Sequence, residues 1–108
     1  FLNVHEGPQS FSKKNQVKLK PGMIISNEPG FYKEGAFGIR IENLIYINKN
    51  KFEELTMAPI EKNLINKKML NKKEIIWLNK YHAKVKKNLF KFMNPVEKVN
   101  LIDACSPI

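Results

Sequence analysis

The chain has 108 residues, 43% of them hydrophobic, and a formal net charge of +9. This length suits one domain with a modest core, and no apolar run approaches the about 20 residues that span a bilayer, so a transmembrane helix is excluded and no membrane partner is expected. The single Cys105 excludes an internal disulfide and a cysteine zinc site and favours a reducing compartment.

The first part of the chain is typical of short strands separated by turns. Residues 23–26 form an apolar run of strand length, which Pro29 and Gly30 end. Residues 37–47 are dense in β-branched and aromatic side chains and predict the longest strand. Gly35 and Gly38 permit a tight return between these two segments.

Two shorter segments follow the predicted long strand. Residues 48–51 predict a turn, and residues 52–55 predict a hairpin partner beyond it. Residues 57–60 predict a terminal edge segment, because Pro59 cannot donate a hydrogen bond to a central ladder.

The apolar period changes near residue 61 and predicts a helix. Six apolar residues form one helical stripe: Ile75, Leu78, Tyr81, Val85, Leu89 and Phe92. Asn71 and Glu74 predict an N-terminal capping pair, and Pro95 predicts the far end. We expect the stripe to pack in the core or against the sheet; the alternative is a dimer surface with Trp77, which lies off the stripe, as its anchor.

Two glutamates are the strongest chemical signal in the sequence. Glu28 follows the first strand and precedes a turn, and Glu42 lies in the predicted long strand, where alternation puts it on the same face as Arg40. Carboxylates on neighbouring strands can bind a pair of hard divalent metals. The alternative is an ordinary ion pair of Arg40 or a lysine with Glu42 on an open sheet face.

Histidines and further acidic residues give weaker signals. His5 precedes a Gly-Pro turn, where it is either a hydrogen-bonded structural residue or a proton donor and substrate contact. His82 lies in the predicted helix without an acidic or histidine partner at ligand spacing, so we predict a structural role. Glu53 and Glu54 adjoin a lysine-rich turn and predict a solvated face.

The positive charge is concentrated in residues 61–108, which carry eleven lysines and four acidic residues, a net charge of +7. A basic surface attracts nucleic acid or anionic lipid. These lysines, however, are interleaved with asparagines rather than clustered with arginines or stacking aromatic residues. A compositionally biased, solvated surface explains the pattern, so no nucleic-acid partner is expected, and a nucleic-acid binder is kept as an alternative.

Taken together, these segments resemble the C-terminal part of the Xaa-Pro aminopeptidases, metallopeptidases with the pita-bread fold. The matching residues are 1–8, 19–24, 27–32, 34–43, 55–60 and 77–82. The stretch from Glu34 to Asn43 is highly specific, and the segments together look like the eukaryotic cytosolic type. The resemblance implies an α+β fold: residues 1–60 complete the C-terminal half of a pita-bread domain with antiparallel strands, and residues 61–108 form a helical extension and tail.

The resemblance also implies roles for five residues. Glu28 and Glu42 would be two of five protein ligands to two Mn²⁺ ions, with Glu42 bridging both ions and Glu28 helping to deprotonate the attacking water. His5 would contact the substrate and assist proton transfer, while Tyr32 and Arg40 would support the metal shell and the substrate pocket. The implied reaction cleaves the bond between an N-terminal residue and a following proline in a peptide, and the implied parent protein is a cytoplasmic homodimer.

The other three metal ligands of this family lie upstream of the matching segments. The chain begins at Phe1 rather than at a methionine, and we expect it to be a fragment whose missing upstream part supplies these ligands. With two of five ligands, the isolated fragment is expected to be inactive.

Two other functions fit the same resemblance. A non-catalytic pita-bread module that binds peptides or proteins is disfavoured because both glutamates and His5 are present. A prolidase, which cuts only dipeptides, is disfavoured by residues 35–37 and 77–82, which resemble the aminopeptidases.

Overall fold

A computed structural model of the chain describes residues 7–49 and 51–108. The chain forms two compact units, Phe1–Thr56 and Met57–Ile108. Strands occupy the first unit and helices the second, which confirms the predicted α+β class with antiparallel strands followed by helices. The predicted domain boundary after residue 60 stays a prediction. In the part of the chain that the structure describes, no helix is long and apolar enough to cross a membrane.

The described part of the first unit contains five short strands. They are β1 (Ile24–Asn27), β2 (Gly30–Lys33), β3 (Phe37–Arg40), β4 (Asn43–Ile47) and β5 (Phe52–Glu54). β4 lies between β1 and β5 in an antiparallel sheet, and β2 pairs with β3. This topology confirms the short strand predicted at residues 23–26, which is β1, and the predicted hairpin partner, which is β5.

β1 and β2 face β4 and β3 along one antiparallel ribbon with an interruption in its middle. The β1–β4 ladder reaches Asn27 opposite Asn43, and the β2–β3 ladder starts at Gly30 opposite Arg40. Both ladders have the same register, so side chains at paired positions alternate between the same two faces of the ribbon throughout. We call this pair of aligned ladders the ribbon.

The single strand predicted over residues 37–47 is wrong, because the chain leaves the ladder at Ile41 and Glu42. Composition indicates extended backbone here but does not indicate which strand each half pairs with. The interruption keeps the register, since the Ile41 N–H donates to the Pro29 carbonyl oxygen over 3.1 Å. Strand β2 also lies where the sequence predicts only the end of a strand.

A tight turn closes the ribbon at its far end. The Ala36 N–H donates to the Lys33 carbonyl oxygen over 3.1 Å, and Gly35 has a φ of +68°, a conformation that costs energy for residues with a Cβ. The predicted tight return is therefore confirmed at Gly35.

The core of the first unit lies on the face of the ribbon that carries the odd-numbered residues. Ile25, Ile45 and Ile47 are buried there, and Leu19 and Met23 pack against them. Burying one such isoleucine side chain stabilises a fold by roughly 1.5–3 kcal/mol. This burial fixes which face of β1 and β4 turns inward, and it leaves the even-numbered residues on the other face.

The second unit contains two helices, α1 (Lys72–Leu89) and α2 (Pro95–Ala104), and three turns of 3₁₀ helix at Lys62–Leu64, Lys67–Met69 and Phe90–Phe92. α1 begins with the predicted capping pair, in which Asn71 and Glu74 each accept a backbone N–H of the other. α2 has the same kind of cap at Asn94 and Glu97. The predicted role of Pro95 is wrong, because Pro95 begins α2 and α1 already ends at Leu89.

Most of the predicted apolar stripe lies in the core of the second unit. Tyr81 and Val85 of α1 are buried with Leu101 and Cys105 from the end of α2. The prediction for Phe92 is wrong, since it lies beyond the end of α1 and is 73% exposed. The helical period ends before it, and periodicity alone does not mark that end.

Residues 57–60 do not form the predicted edge strand. Instead, α1 holds this segment by side-chain hydrogen bonds: the Tyr81 hydroxyl donates to the Ala58 carbonyl oxygen over 2.8 Å, and the Ile60 N–H donates to His82 Nε2 over 3.1 Å. His82 is fully buried. Its accepting Nε2 requires the neutral ring with the proton on Nδ1.

We predict that acid destabilises the chain through His82. Burial lowers the His82 pKa below its ordinary 6.5, and the charge of Lys62 lowers it further. The unfolded chain therefore binds this proton more tightly, so the free energy of unfolding is fully retained above about pH 6.5 and falls as the pH drops below it, by up to about 1.4 kcal/mol per pH unit.

Urea unfolding at pH about 7.5 and about 5.5 measures this loss. His82→Gln is the control, because its amide oxygen can accept the Ile60 N–H without titrating, and any contribution of His5 cancels in the comparison. An equal loss of stability in both proteins would contradict the prediction.

Candidate functional site

Glu28 comes directly after β1, at the interruption of the ribbon. Its side chain is 20% exposed. Ser26 lies two residues earlier on the same face of the strand, and its hydroxyl donates to Glu28 Oε1 over 2.7 Å. The strand period therefore places a hydrogen-bond donor beside the carboxylate.

Arg40 ends β3 and contacts Glu28 from the opposite strand. Its Nη1 donates to Glu28 Oε2 over 2.6 Å, and its Nε donates to the Tyr32 hydroxyl over 2.8 Å. Because guanidinium groups present several donors in one plane, one arginine joins both partners. The Arg40–Glu42 ion pair considered from the sequence is replaced by an Arg40–Glu28 ion pair.

Glu42 lies between β3 and β4 and is exposed. Its predicted position within a strand is wrong, since it occupies the interruption of the ribbon. The register that pairs Asn27 with Asn43 places Glu28 opposite Glu42 at its next step. Two carboxylates at opposing positions repel each other and disfavour pairing unless a cation compensates them.

The charge of Arg40 supplies part of that compensation. Its pKa is raised above the ordinary value, first by the hydrogen bond and charge interaction with Tyr32 and then by the charges of Glu28 and Glu42, and desolvation opposes these effects. Both carboxylates therefore lie close enough to the guanidinium to stabilise its charge. Alternation along the ribbon brings Ser26, Glu28, Tyr32, Arg40 and Glu42 to the same face.

Tyr32 occupies space that two glycines leave open. A Cβ added at Gly38, which is opposite Tyr32 in the ladder, would lie 2.6 Å from Tyr32 Cδ1, and one added at Gly30 would lie 2.6 Å from the Tyr32 hydroxyl oxygen. The ring therefore lies flat over the backbone of both strands. This position places the Tyr32 hydroxyl where it accepts the hydrogen bond from Arg40 Nε.

A cleft of about 440 Å³ adjoins Glu28. It is lined by Ser10, Phe11, Ser26, Asn27, Glu28 and Pro29. His5, the predicted proton-transfer and substrate residue, lies outside the described residues. Within residues 7–49 and 51–108, no three His, Cys, Asp or Glu side chains form a group that could hold a metal ion.

The structure thus brings together four of the five site residues predicted from the sequence: Glu28, Tyr32, Arg40 and Glu42. It adds Ser26 to them. The signal for Ser26 in the sequence is its position two residues before Glu28 in a strand, which puts the hydroxyl on the same face as the carboxylate. Carboxylates are hard ligands suited to divalent ions such as Mn²⁺ and Mg²⁺. Two of them at opposing positions, with Glu28 oriented by two donors, fit part of a metal site.

Models of known protein families match the chain along nearly its whole length. Residues 2–49 match the metallopeptidase family M24, and residues 49–108 match the C-terminal region of peptidase M24. The chain belongs to metallopeptidase family M24. The resemblance to this family inferred from the sequence is confirmed.

Similar M24 proteins carry aminopeptidase names. A probable Xaa-Pro aminopeptidase P of Laccaria bicolor is 45% identical, and the match covers 77% of this chain and 15% of that protein. Aminopeptidase P2 of Arabidopsis thaliana is 46% identical, with 78% and 14% covered. The putative Xaa-Pro aminopeptidase FRA1 of Saccharomyces cerevisiae is 44% identical, with 88% and 14% covered. The M24 chain therefore spans about one seventh of the length of these relatives.

A solved structure shows the same fold. X-prolyl aminopeptidase from Caenorhabditis elegans, described as a cytosolic enzyme with a di-nuclear active site, superposes with a TM-score of 0.76 at 35% identity. The match covers 99% of this chain and 20% of that enzyme. It confirms the predicted fold class of the M24 chain, which is the C-terminal half of a pita-bread fold with antiparallel strands followed by helices.

We predict that Gly38→Ala destabilises the ribbon by about 0.5–1.5 kcal/mol, because the new methyl group overlaps the exposed Tyr32 ring and forces it out of its preferred position. In a Tyr32→Ala background the same substitution should cost far less. Urea unfolding of the four proteins in this double-mutant cycle measures the coupling. An equal cost of Gly38→Ala in both backgrounds would show that the ring is not what the glycine accommodates.

Proposed function

We propose that this chain is the C-terminal part of a metal-dependent aminopeptidase, which cleaves the bond between an N-terminal residue and a following proline. The observation that carries the proposal is the pair of opposing carboxylates, Glu28 and Glu42, beside the shared cation Arg40. Relatives with aminopeptidase names at 44–46% identity support it, as does the description of the C. elegans enzyme as di-nuclear. We use "parent protein" for a polypeptide of the relatives' length that carries this chain.

Glu28 and Glu42 would hold two divalent ions, which we propose to be Mn²⁺, together with ligands from the upstream part of the parent protein. When bound, such ions supply Lewis acidity and make water a stronger acid. Glu28 accepts the proton of the attacking water, and its carboxylate is kept in place by the donors on either side. Glu42 contributes a second carboxylate on the same face of the ribbon, from the chain segment opposite Glu28.

Arg40 and Tyr32 orient the Glu28 carboxylate and bind the peptide substrate. Arg40 holds Glu28 through its guanidinium, which is charged at any physiological pH. We propose that Tyr32, which is 61% exposed, contacts the peptide substrate together with Arg40. His5 would contact the same substrate and carry a proton to or from it, as an imidazole does near neutral pH.

The cellular setting is proposed on the same basis. The C. elegans enzyme is described as cytosolic, and we propose the cytoplasm for the parent protein. The homodimer implied by the resemblance stays a prediction.

We predict that the parent protein, supplied with Mn²⁺, releases the first residue from an Xaa-Pro-Xaa peptide and not from an Xaa-Ala-Xaa peptide. Glu42→Gln keeps the size of the side chain but loses the anionic ligand, and it should lower kcat at least about 100-fold. Product release measured by liquid chromatography gives both results.

Glu53→Gln is the matched control, because Glu53 lies on β5, where Asn48 donates to it and Lys51 pairs with it. Its activity should equal that of the parent protein. Release only from an Xaa-Pro dipeptide would favour a prolidase. A folded, metal-loaded parent protein that cleaves none of these peptides would favour a binding module over an enzyme.

We predict that residues 1–108 alone bind Mn²⁺ weakly and hydrolyse no Xaa-Pro-Xaa peptide, since the described residues offer no group of three metal ligands. Titration calorimetry of the isolated chain with Mn²⁺ tests the first statement. Tight stoichiometric binding would contradict the incomplete metal site.

A further inference from the structure

Both oxygens of the Glu28 carboxylate receive a hydrogen bond, and the two donors differ in kind. Arg40 reaches Oε2 with a long side chain that is 49% exposed. Ser26 reaches Oε1 with a side chain that has one heavy-atom torsion, from a half-buried position in β1. The serine donor therefore loses less conformational freedom when it forms its bond.

The backbone of Ser26 is fixed on both sides. Ser26 pairs with Leu44 in the β1–β4 ladder, and the preceding Ile25 is buried in the core of the first unit. Ser26 and Glu28 also line the same cleft of about 440 Å³. The bond from Ser26 to Glu28 thus ties the carboxylate at the cleft to a strand that is paired and anchored in the core.

We propose that Ser26 is a positioning residue that sets the rotation of the Glu28 carboxylate for metal binding and proton transfer. This inference rests on the proposed function. Arg40 alone fixes one oxygen and leaves the carboxylate able to turn about that contact. The second bond, on the other oxygen, removes this rotation, as donors behind metal-binding side chains commonly do.

Removal of Ser26 and removal of Arg40 should have different effects. Loss of the Ser26 hydroxyl leaves the Arg40–Tyr32 contact in place, so peptide binding should be unchanged while Mn²⁺ affinity and kcat fall. Loss of Arg40 disturbs Glu28 and Tyr32 together, so it should change KM as well. A purely structural role of Ser26 would lower thermal stability without this pattern.

The test compares Ser26→Thr with Ser26→Val in the parent protein. The two side chains have the same shape and both suit a strand, and only threonine keeps the hydroxyl. Mn²⁺ affinity of the metal-stripped proteins is measured by electron paramagnetic resonance of free Mn²⁺, and kcat and KM are measured with an Xaa-Pro-Xaa peptide. Ser12→Ala is the control for removal of an exposed hydroxyl in the same unit.

We expect Ser26→Val to weaken Mn²⁺ binding and lower kcat by about 10- to 100-fold with KM unchanged, and Ser26→Thr to keep values near those of the parent protein. Equal Mn²⁺ affinities for the Thr and Val variants would overturn the role of Ser26, whatever the activity. If the parent protein binds Mn²⁺ but cleaves no Xaa-Pro-Xaa peptide, the proposed function fails, and the two affinities still decide the role of Ser26. A parent protein that binds no Mn²⁺ would overturn both.

Discussion

Electrostatic repulsion between Glu28 and Glu42, which the register places opposite each other, is the constraint on which the candidate site depends. An antiparallel ribbon places opposing side chains within a few ångströms of each other, where two like charges oppose pairing. The ladder is interrupted beside this pair because Pro29, which lies opposite Ile41, accepts the Ile41 N–H but has no N–H of its own to donate back. The register is kept across the interruption. The two carboxylates therefore stay opposite each other, with Glu28 half-buried and Glu42 exposed.

The rest of the site compensates this repulsion. Arg40 contacts Glu28 directly and lies near Glu42, and Tyr32 holds the guanidinium from its other side. A half-exposed ion pair of this kind contributes little to the free energy of unfolding. Its main effect is orientation, because three side chains are constrained by contacts that come from both strands of the ribbon.

The sequence predicts local features here better than it predicts pairings. The caps at Asn71 and Glu74 and the turn at Gly35 follow from residue chemistry within a few positions, and both are confirmed. The break at Ile41 and Glu42 depends on which strand lies opposite, which composition does not encode. Residues 57–60 likewise take their conformation from hydrogen bonds with a helix that follows more than ten residues later.

The same distinction holds for the site. Glu28, Arg40, Glu42 and Tyr32 could be selected from the sequence, but the partner of Arg40 depends on the fold. The shared register also has a genetic consequence. A codon inserted at residues 34–36 would lengthen only the turn and leave every side chain on its face, whereas a codon inserted between Arg40 and Glu42 would move one of them to the apolar face. Variation in length should therefore be tolerated at the turn and eliminated by selection within the strands.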